Sequence, residues 1–235
     1  DAWLFNRSNL QVGRAAQEVL THLDCLAKSS SADELFVTLE DIGGIFRLDE
    51  NTVPKKFRCA TISPEELTQL RRIKNFIKKG RINRITPTAI ELVGGDVAYS
   101  GKALFVDCSA DGLAKRKEVP VFTEGKITLQ AVLFCQQVFS AAAIARLELM
   151  GGGDDKKNRI KPVPHPEYKE DWTSALSIGI DNLLLMHRFF PMWMFNARLN
   201  LLSHENAFRY FSYAGKAILI ASSVRESVRG MVEAH

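Results

Sequence analysis

Between residues 80 and 108 the apolar residues fall into short runs separated by turn chemistry, and no helix can be laid over them. Ile82, Ile85, Ile90, Leu92 and Val97 recur along Gly80 to Val97, interrupted by Thr86-Pro87-Thr88 and by Gly94-Gly95. Runs of this length with such punctuation predict paired antiparallel strands. The meander leads into Ala103-Leu104-Phe105-Val106, which ends at Asp107 and suits an interior strand. Ser109, Ala110 and Gly112 then leave little bulk between the backbone and any bound group.

Helical periodicity brackets this region. Leu10 to Lys28 carries an apolar stripe at Val12, Ala15, Ala16, Val19, Leu20, Leu23 and Leu26, ended by Ser29-Ser30-Ser31. Ser30 or Ser31 caps a second helix with Asp33 and Glu34 in its first turn, running to Asp41 and stopped by Gly43-Gly44. Residues 46–62 read as irregular. Ser63 as cap and Pro64 at the first position begin a third helix that continues towards Lys78. Thr128 to Leu149 reads as one long apolar helix, and 151–171, with Pro162, Pro164 and Pro166, as an extended connector. Helices return over Trp172 to Ala197 and Ser203 to Glu233, split near Pro191 and capped at Ser203 with Asn206 three residues on. The expected fold is α+β: a small central, mostly antiparallel sheet flanked by helical layers. Its parts are a helical region 1–79, a sheet region 80–125 and a helical region 126–235, forming one unit.

Composition narrows the function classes. Of 235 residues 46% are hydrophobic and 25% charged, enough for a proper core. No apolar run reaches the roughly 18 residues of a membrane span and no signal segment opens the chain, so the expectation is a cytoplasmic protein without a membrane partner. A net charge of +4 gives no strong reason to invoke nucleic acid. Arg71, Arg72, Lys74, Lys78, Lys79, Arg81 and Arg84 crowd one stretch, read as a solvated helix face, with the phosphate of an NADP-type cofactor as the other option. Cys25, Cys59, Cys108 and Cys135 lie far apart without a C-x-x-C pair, so reduced, mostly buried thiols are expected.

The stretch 80–113, with the opening Asp-Ala-Trp-Leu-Phe-Asn-Arg and the later Thr128-Leu129-Gln130 and Phe139-Ser140-Ala141-Ala142, resembles the two-domain flavoproteins with FAD/NAD(P)-binding Rossmann folds, in particular uncharacterised bacterial oxidoreductase-like members. Such proteins carry Ala-Thr-Gly beside the dinucleotide; here Ala110-Asp111-Gly112 stands in that place, with Asp for Thr. The resemblance implies FAD and NAD(P) against Asp107, Cys108, Ser109, Ala110, Asp111 and Gly112, and hydride transfer with an unknown small-molecule substrate. The G-x-G-x-x-G loop that seats a pyrophosphate is absent. Gly151-Gly152-Gly153 follows a helical stretch and continues into Asp154-Asp155, which makes it a connector. The chain, opening at Asp1, is therefore expected to be a C-terminal portion lacking an N-terminal dinucleotide-binding domain, and to bind little or no cofactor by itself.

Single residues add alternatives. Asp107 could bond ribose hydroxyls or cap a loop. Cys108 has no base near it in sequence and reads as a small buried thiol. His165 in Pro-His-Pro reads as surface-loop material, and His187 and His204 lack carboxylates at ligand spacing, so no metal site is expected. Phe189 to Phe195 could line a pocket, pack in the core or form a subunit contact. No catalytic acid or base is assigned. The alternative to an oxidoreductase is a non-catalytic interaction or oligomerisation module, with a homodimer as one form of it.

Overall fold

A computed structural model describes residues 2–11, 14–100, 102–108, 117–197 and 207–233. In chain order its elements are β1 (Ala2–Asn6), α1 (Ala15–Lys28), α2 (Ala32–Asp41), β2 (Ile45–Phe46), β3 (Lys56–Ile62), α3 (Pro64–Leu70), β4 (Ile82–Ile85), β5 (Ala89–Leu92), β6 (Val97–Ala98), β7 (Phe122–Thr123), β8 (Lys126–Ile127), α4 (Gln137–Glu148), α5 (Asp154–Lys157), α6 (Lys169–Phe189), α7 (Pro191–Asn196) and α8 (Ala207–Glu233). The fold is α+β. It divides into a unit of residues 1–70 and 117–235 and a second unit of residues 71–116.

In the larger unit the sheet order is β2-β1-β3, with β1 antiparallel to β2 and parallel to β3. Alternation along β1 sends Trp3 and Phe5 inward, where they meet Phe36 of α2, Phe57 of β3 and Trp172 of α6 with ring centroids 5.0 to 5.6 Å apart. Burying a large apolar side chain contributes about 1.5–3 kcal/mol, so this cluster is the main reason an N-terminal five-residue strand holds its place. Around it, α1 buries Leu20, Leu23 and Leu26, and α8 returns Ala217, Ala221, Val224 and Met231 at helical spacing against the same core.

Local signals explain several boundaries. The Ser31 hydroxyl accepts from the Glu34 N–H at 3.1 Å and caps α2. Ser63 and Glu66 form a reciprocal capping box at α3, the Ser63 N–H donating to the Glu66 carboxylate at 2.9 Å and the Glu66 N–H to the Ser63 hydroxyl at 3.2 Å. The helix ends at Leu70 instead of reaching Lys78. Arg71, Lys74 and Lys78 would stack like charges at i, i+3 and i+7 along its next turns, and Leu67 is the only residue it buries.

The sheet expected from 80–125 is not the sheet of the larger unit. Strands β4, β5 and β6 do form the antiparallel meander, in register Ile85↔Ile90 and Ile90↔Val97, but they belong to the 71–116 unit. The core sheet of the larger unit comes from 2–6, 45–46 and 56–62; the expectation of an irregular stretch over 46–62 fails at β3, whose alternation is broken by a bulge. The single helix expected over Thr128 to Leu149 is also shorter. Residues 131–136 are irregular, with 131–134 buried, and α4 starts only at Gln137. Ser203, His204 and Asn206 lie outside the described residues. So do Ser109, Ala110, Asp111 and Gly112.

Candidate functional site

In the larger unit, α1 presents Ala15, Glu18, Val19 and His22 on one face, spaced at i, i+3, i+4 and i+7. With Phe5, Leu10, Thr61, Phe134, Trp172 and Leu176 they line a pocket of about 220 Å³. A dry cavity of about 150 Å³ accommodates benzene, so the space suits a substituted ring or a short acyl chain.

The polar content of this pocket is concentrated at Glu18 and His22. His22 Nε2 lies 3.2 Å from Glu18 Oε1, and the Asn9 side-chain amide donates to the same oxygen at 3.1 Å. The His22 ring is buried and stacks on Phe5, centroids 5.1 Å apart. Burial pushes the Glu18 carboxyl up, but the hydrogen bond and charge of His22, with the Asn9 amide, outweigh it and hold the group below its ordinary value. Oε1 takes both bonds, which leaves Oε2 as an acceptor. Gly44 closes over the pair: a Cβ there would sit 3.2 Å from both Glu18 Oε1 and His22 Nε2, closer than ordinary packing allows.

A disulfide forms another part of the wall. Cys59 is bonded to Cys135, 76 residues away in sequence, and both line the pocket. From Trp3↔Phe57 to Phe5↔Thr61 the register advances two residues on β1 and four on β3, a bulge that carries Cys59 at φ 54°. Phe134, beside Cys135, is also left-handed at φ 44°. Left-handed backbone at a non-glycine residue persists only where the surroundings over-determine it. Here they do. The buried Ser140 hydroxyl accepts from Val132 N–H at 3.0 Å and donates to the Gln136 carbonyl at 2.7 Å, and Asn182 bonds the Val132 carbonyl at 2.8 Å and both backbone groups of Lys161. The Phe134 ring then lies directly on Gly179 of α6, where a Cβ would fall 2.6 Å from Cδ1.

The residues expected to face a cofactor are elsewhere. Asp107 and Cys108 belong to the 71–116 unit, in a segment without regular structure, and both are exposed. The interior strand expected over 103–108 does not form: Leu104 is 90% and Val106 72% exposed. A short apolar run cannot by itself distinguish a buried strand from an exposed segment, and no described strand pairs with this one. Cys108 is thus an exposed free thiol, not a buried one, and the expectation of four reduced cysteines fails at Cys59 and Cys135. Ser109 to Gly112, the other four residues of the expected cofactor edge, lie outside the described residues. The basic stretch 71–81 is non-helical, so its charges do not share a helix face.

Of the aromatic run, Phe190 and Met194 are buried, and Trp193 packs on Phe139 and Phe190 at 5.7 and 5.4 Å, which makes it core. His187 places Nδ1 2.7 Å from the Leu183 carbonyl; burial pushes its imidazole down, partly opposed by that bond. Among the described residues no group of three or more His, Cys, Asp or Glu could hold a metal ion. The sequence reading passed over Glu18 and His22. The available signal was a histidine within an apolar helical stripe with a glutamate one turn earlier. Nothing in cysteine spacing points to the 59–135 pairing.

No family model matches the chain, and no solved structure matches it. It is similar to uncharacterised proteins of Mycobacterium bovis and Mycobacterium tuberculosis, 40% identical over 211 residues, covering 86% of this chain and 39% of each relative. The chain thus spans about two fifths of the length of the curated relatives it matches.

Proposed function

We propose that the larger unit binds a small, mostly apolar molecule carrying one hydroxyl, with the ring or chain among Phe5, Val19, Phe134 and Leu176 and the hydroxyl donating to Glu18. The observation that carries this reading is a mutually bonded carboxylate–imidazole pair at the wall of a mostly apolar pocket of about 220 Å³, whose other polar lining side chains are Thr61 and Gln136. Buried polar groups of this kind set orientation while apolar walls supply affinity. The test is thermal unfolding with phenol, cyclohexanol and cyclohexane as probes. A saturating hydroxylated ring should raise the midpoint, by the equivalent of about 2.7 kcal/mol at a hundredfold excess over Kd, while cyclohexane does less. Val19→Phe should fold and lose the response. An equal response in that variant would place the ligand elsewhere.

The disulfide in the pocket wall favours a second reading, thiol–disulfide exchange. A substrate dithiol would attack one sulfur of the Cys59–Cys135 bond to form a mixed disulfide, and its second thiol would resolve it, leaving Cys59 and Cys135 as two thiols and the substrate oxidised. Two further protein thiols per chain, counted after the dithiol has been removed and absent in Cys59→Ser/Cys135→Ser, measure it. Hydride transfer with FAD and NAD(P), implied by the resemblance, rests on residues 80–113 and on a dinucleotide-binding domain outside this chain. A longer protein that is colourless and unresponsive to NADPH would remove it.

A further inference from the structure

The 71–116 unit holds ten Lys and Arg against four Asp and Glu, a net charge of +6 in a chain whose total is +4, so the rest of the protein is slightly acidic. The same unit has almost no core. Leu92 is its only large apolar side chain that is buried among the described residues, and every residue of β4 is exposed, on both faces of a three-stranded sheet. Three strands need a covered apolar face to be independently stable. Instead Ile73, Ile77, Ile82, Ile85, Leu104 and Val106 are exposed within a segment that also carries Lys74, Arg81, Arg84 and Lys102.

The chemistry of these side chains selects among anionic partners. Single-stranded nucleic acid is held by aromatic platforms on which bases stack, and protein interfaces favour Tyr, Trp, Phe, Met and Arg while depleting Lys. Here the exposed apolar side chains are mainly β-branched aliphatics and Leu, with Phe76 and Phe105 the only exposed phenyl rings among the described residues of the unit, and half of the unit's ten cations are lysines. Aliphatic side chains beside Lys and Arg match a bilayer interface, whose acyl boundary takes the former and whose acidic headgroups take the latter. Lying on a bilayer requires no span, and no helix among the described residues is long and apolar enough to cross one.

We propose that residues 71–116 form a module that adsorbs to anionic membrane surfaces, with the aliphatic side chains entering the headgroup–acyl boundary and the Lys and Arg side chains bonding acidic lipid headgroups. The test is co-sedimentation of the whole chain with vesicles of phosphatidylcholine alone and of phosphatidylcholine with about one third phosphatidylserine. The expected result is binding to the anionic vesicles, weakened by salt over the screening range. Arg81→Glu/Lys102→Glu should lose about tenfold or more in affinity. Leu104→Ser/Val106→Ser, placed in an exposed segment without regular structure, should weaken binding while leaving the thermal midpoint of the chain unchanged. The proposal is overturned if neither vesicle binds, if neutral vesicles bind equally well, if charge reversal has no effect, or if a single-stranded oligonucleotide or polyglutamate is retained and the anionic vesicles are not.

Discussion

Gly179→Ala probes the packing that shapes the pocket wall. At an unobstructed helix interior this substitution stabilises by about 1 kcal/mol, because glycine loses more backbone freedom than alanine. At Gly179 the new methyl would overlap the Phe134 ring, 2.6 Å from Cδ1. Phe134 cannot retreat freely, since its backbone is held in the left-handed region and residues 132–136 are pinned by Ser140 and Asn182. Overpacking of this sort costs roughly 1–3 kcal/mol, which offsets the helix gain and leaves a net loss of up to about 2 kcal/mol. At roughly 2–4 °C per kcal/mol for a chain of this size, the midpoint should fall by a few degrees. Gly215 on α8 is the internal control, for nothing lies within 4 Å of a Cβ built there, and Gly215→Ala should raise the midpoint. Differential scanning calorimetry on the three proteins decides it. The ring displaced by the added methyl has the pocket as its exit, so the response to a hydroxylated ring should also shrink. Equal stabilisation by both substitutions would mean that Phe134 does not rest on α6, and the described wall would be wrong.

Other outcomes follow from the same site. Removing the Cys59–Cys135 bond, by reductant or as Cys59→Ala/Cys135→Ala, frees a 76-residue separation and should cost on the order of 4 kcal/mol by loop entropy, read as a midpoint lower by about ten degrees; identical midpoints with and without reductant would refute it. Glu18 has a folded-state carboxyl held below its ordinary value of 4.5, so its contribution is complete above that pH and is lost as pH falls through the lowered folded value. The stability gap between wild type and Glu18→Gln should therefore be flat near neutrality and close below about pH 4.5 in urea titrations. Asn182→Ala leaves the Val132 carbonyl and both backbone groups of Lys161 without their partner, and should cost roughly 2–4 kcal/mol in the same assay.

Helix starts were legible at α2 and α3, where a serine satisfies the first backbone donors, but not at α6, which begins at Lys169 inside the stretch 151–171 read as a connector although Asp171 accepts from the Tyr168 N–H. Ser31 and Ser63 mark α2 and α3 because their hydroxyls do that work locally, and Pro191 divides α6 from α7 for an equally local reason. The meander was legible from its turns. Strand β3 was not, since the bulge around Cys59 breaks the two-residue alternation by which a strand is recognised. Residues 103–108 misled in the opposite direction: their composition suits burial, but burial depends on a neighbour and none of the described strands pairs with them. The site was the least legible part. Glu18 and His22 look like interruptions of an apolar stripe, and only the approach of Phe5, Gly44 and Asn9 from distant positions turns them into a pair. The covalent tie between Cys59 and Cys135 is long-range by nature, and spacing carries no trace of it.

That tie also determines what a single break in the backbone can do. The 71–116 unit leaves and re-enters the chain between the two linked cysteines, so a protease cutting anywhere in it produces two polypeptides that remain one covalent molecule. Under oxidising conditions the nicked protein would migrate intact and keep both sides of its pocket together, and the fragments would separate only once thiols are restored.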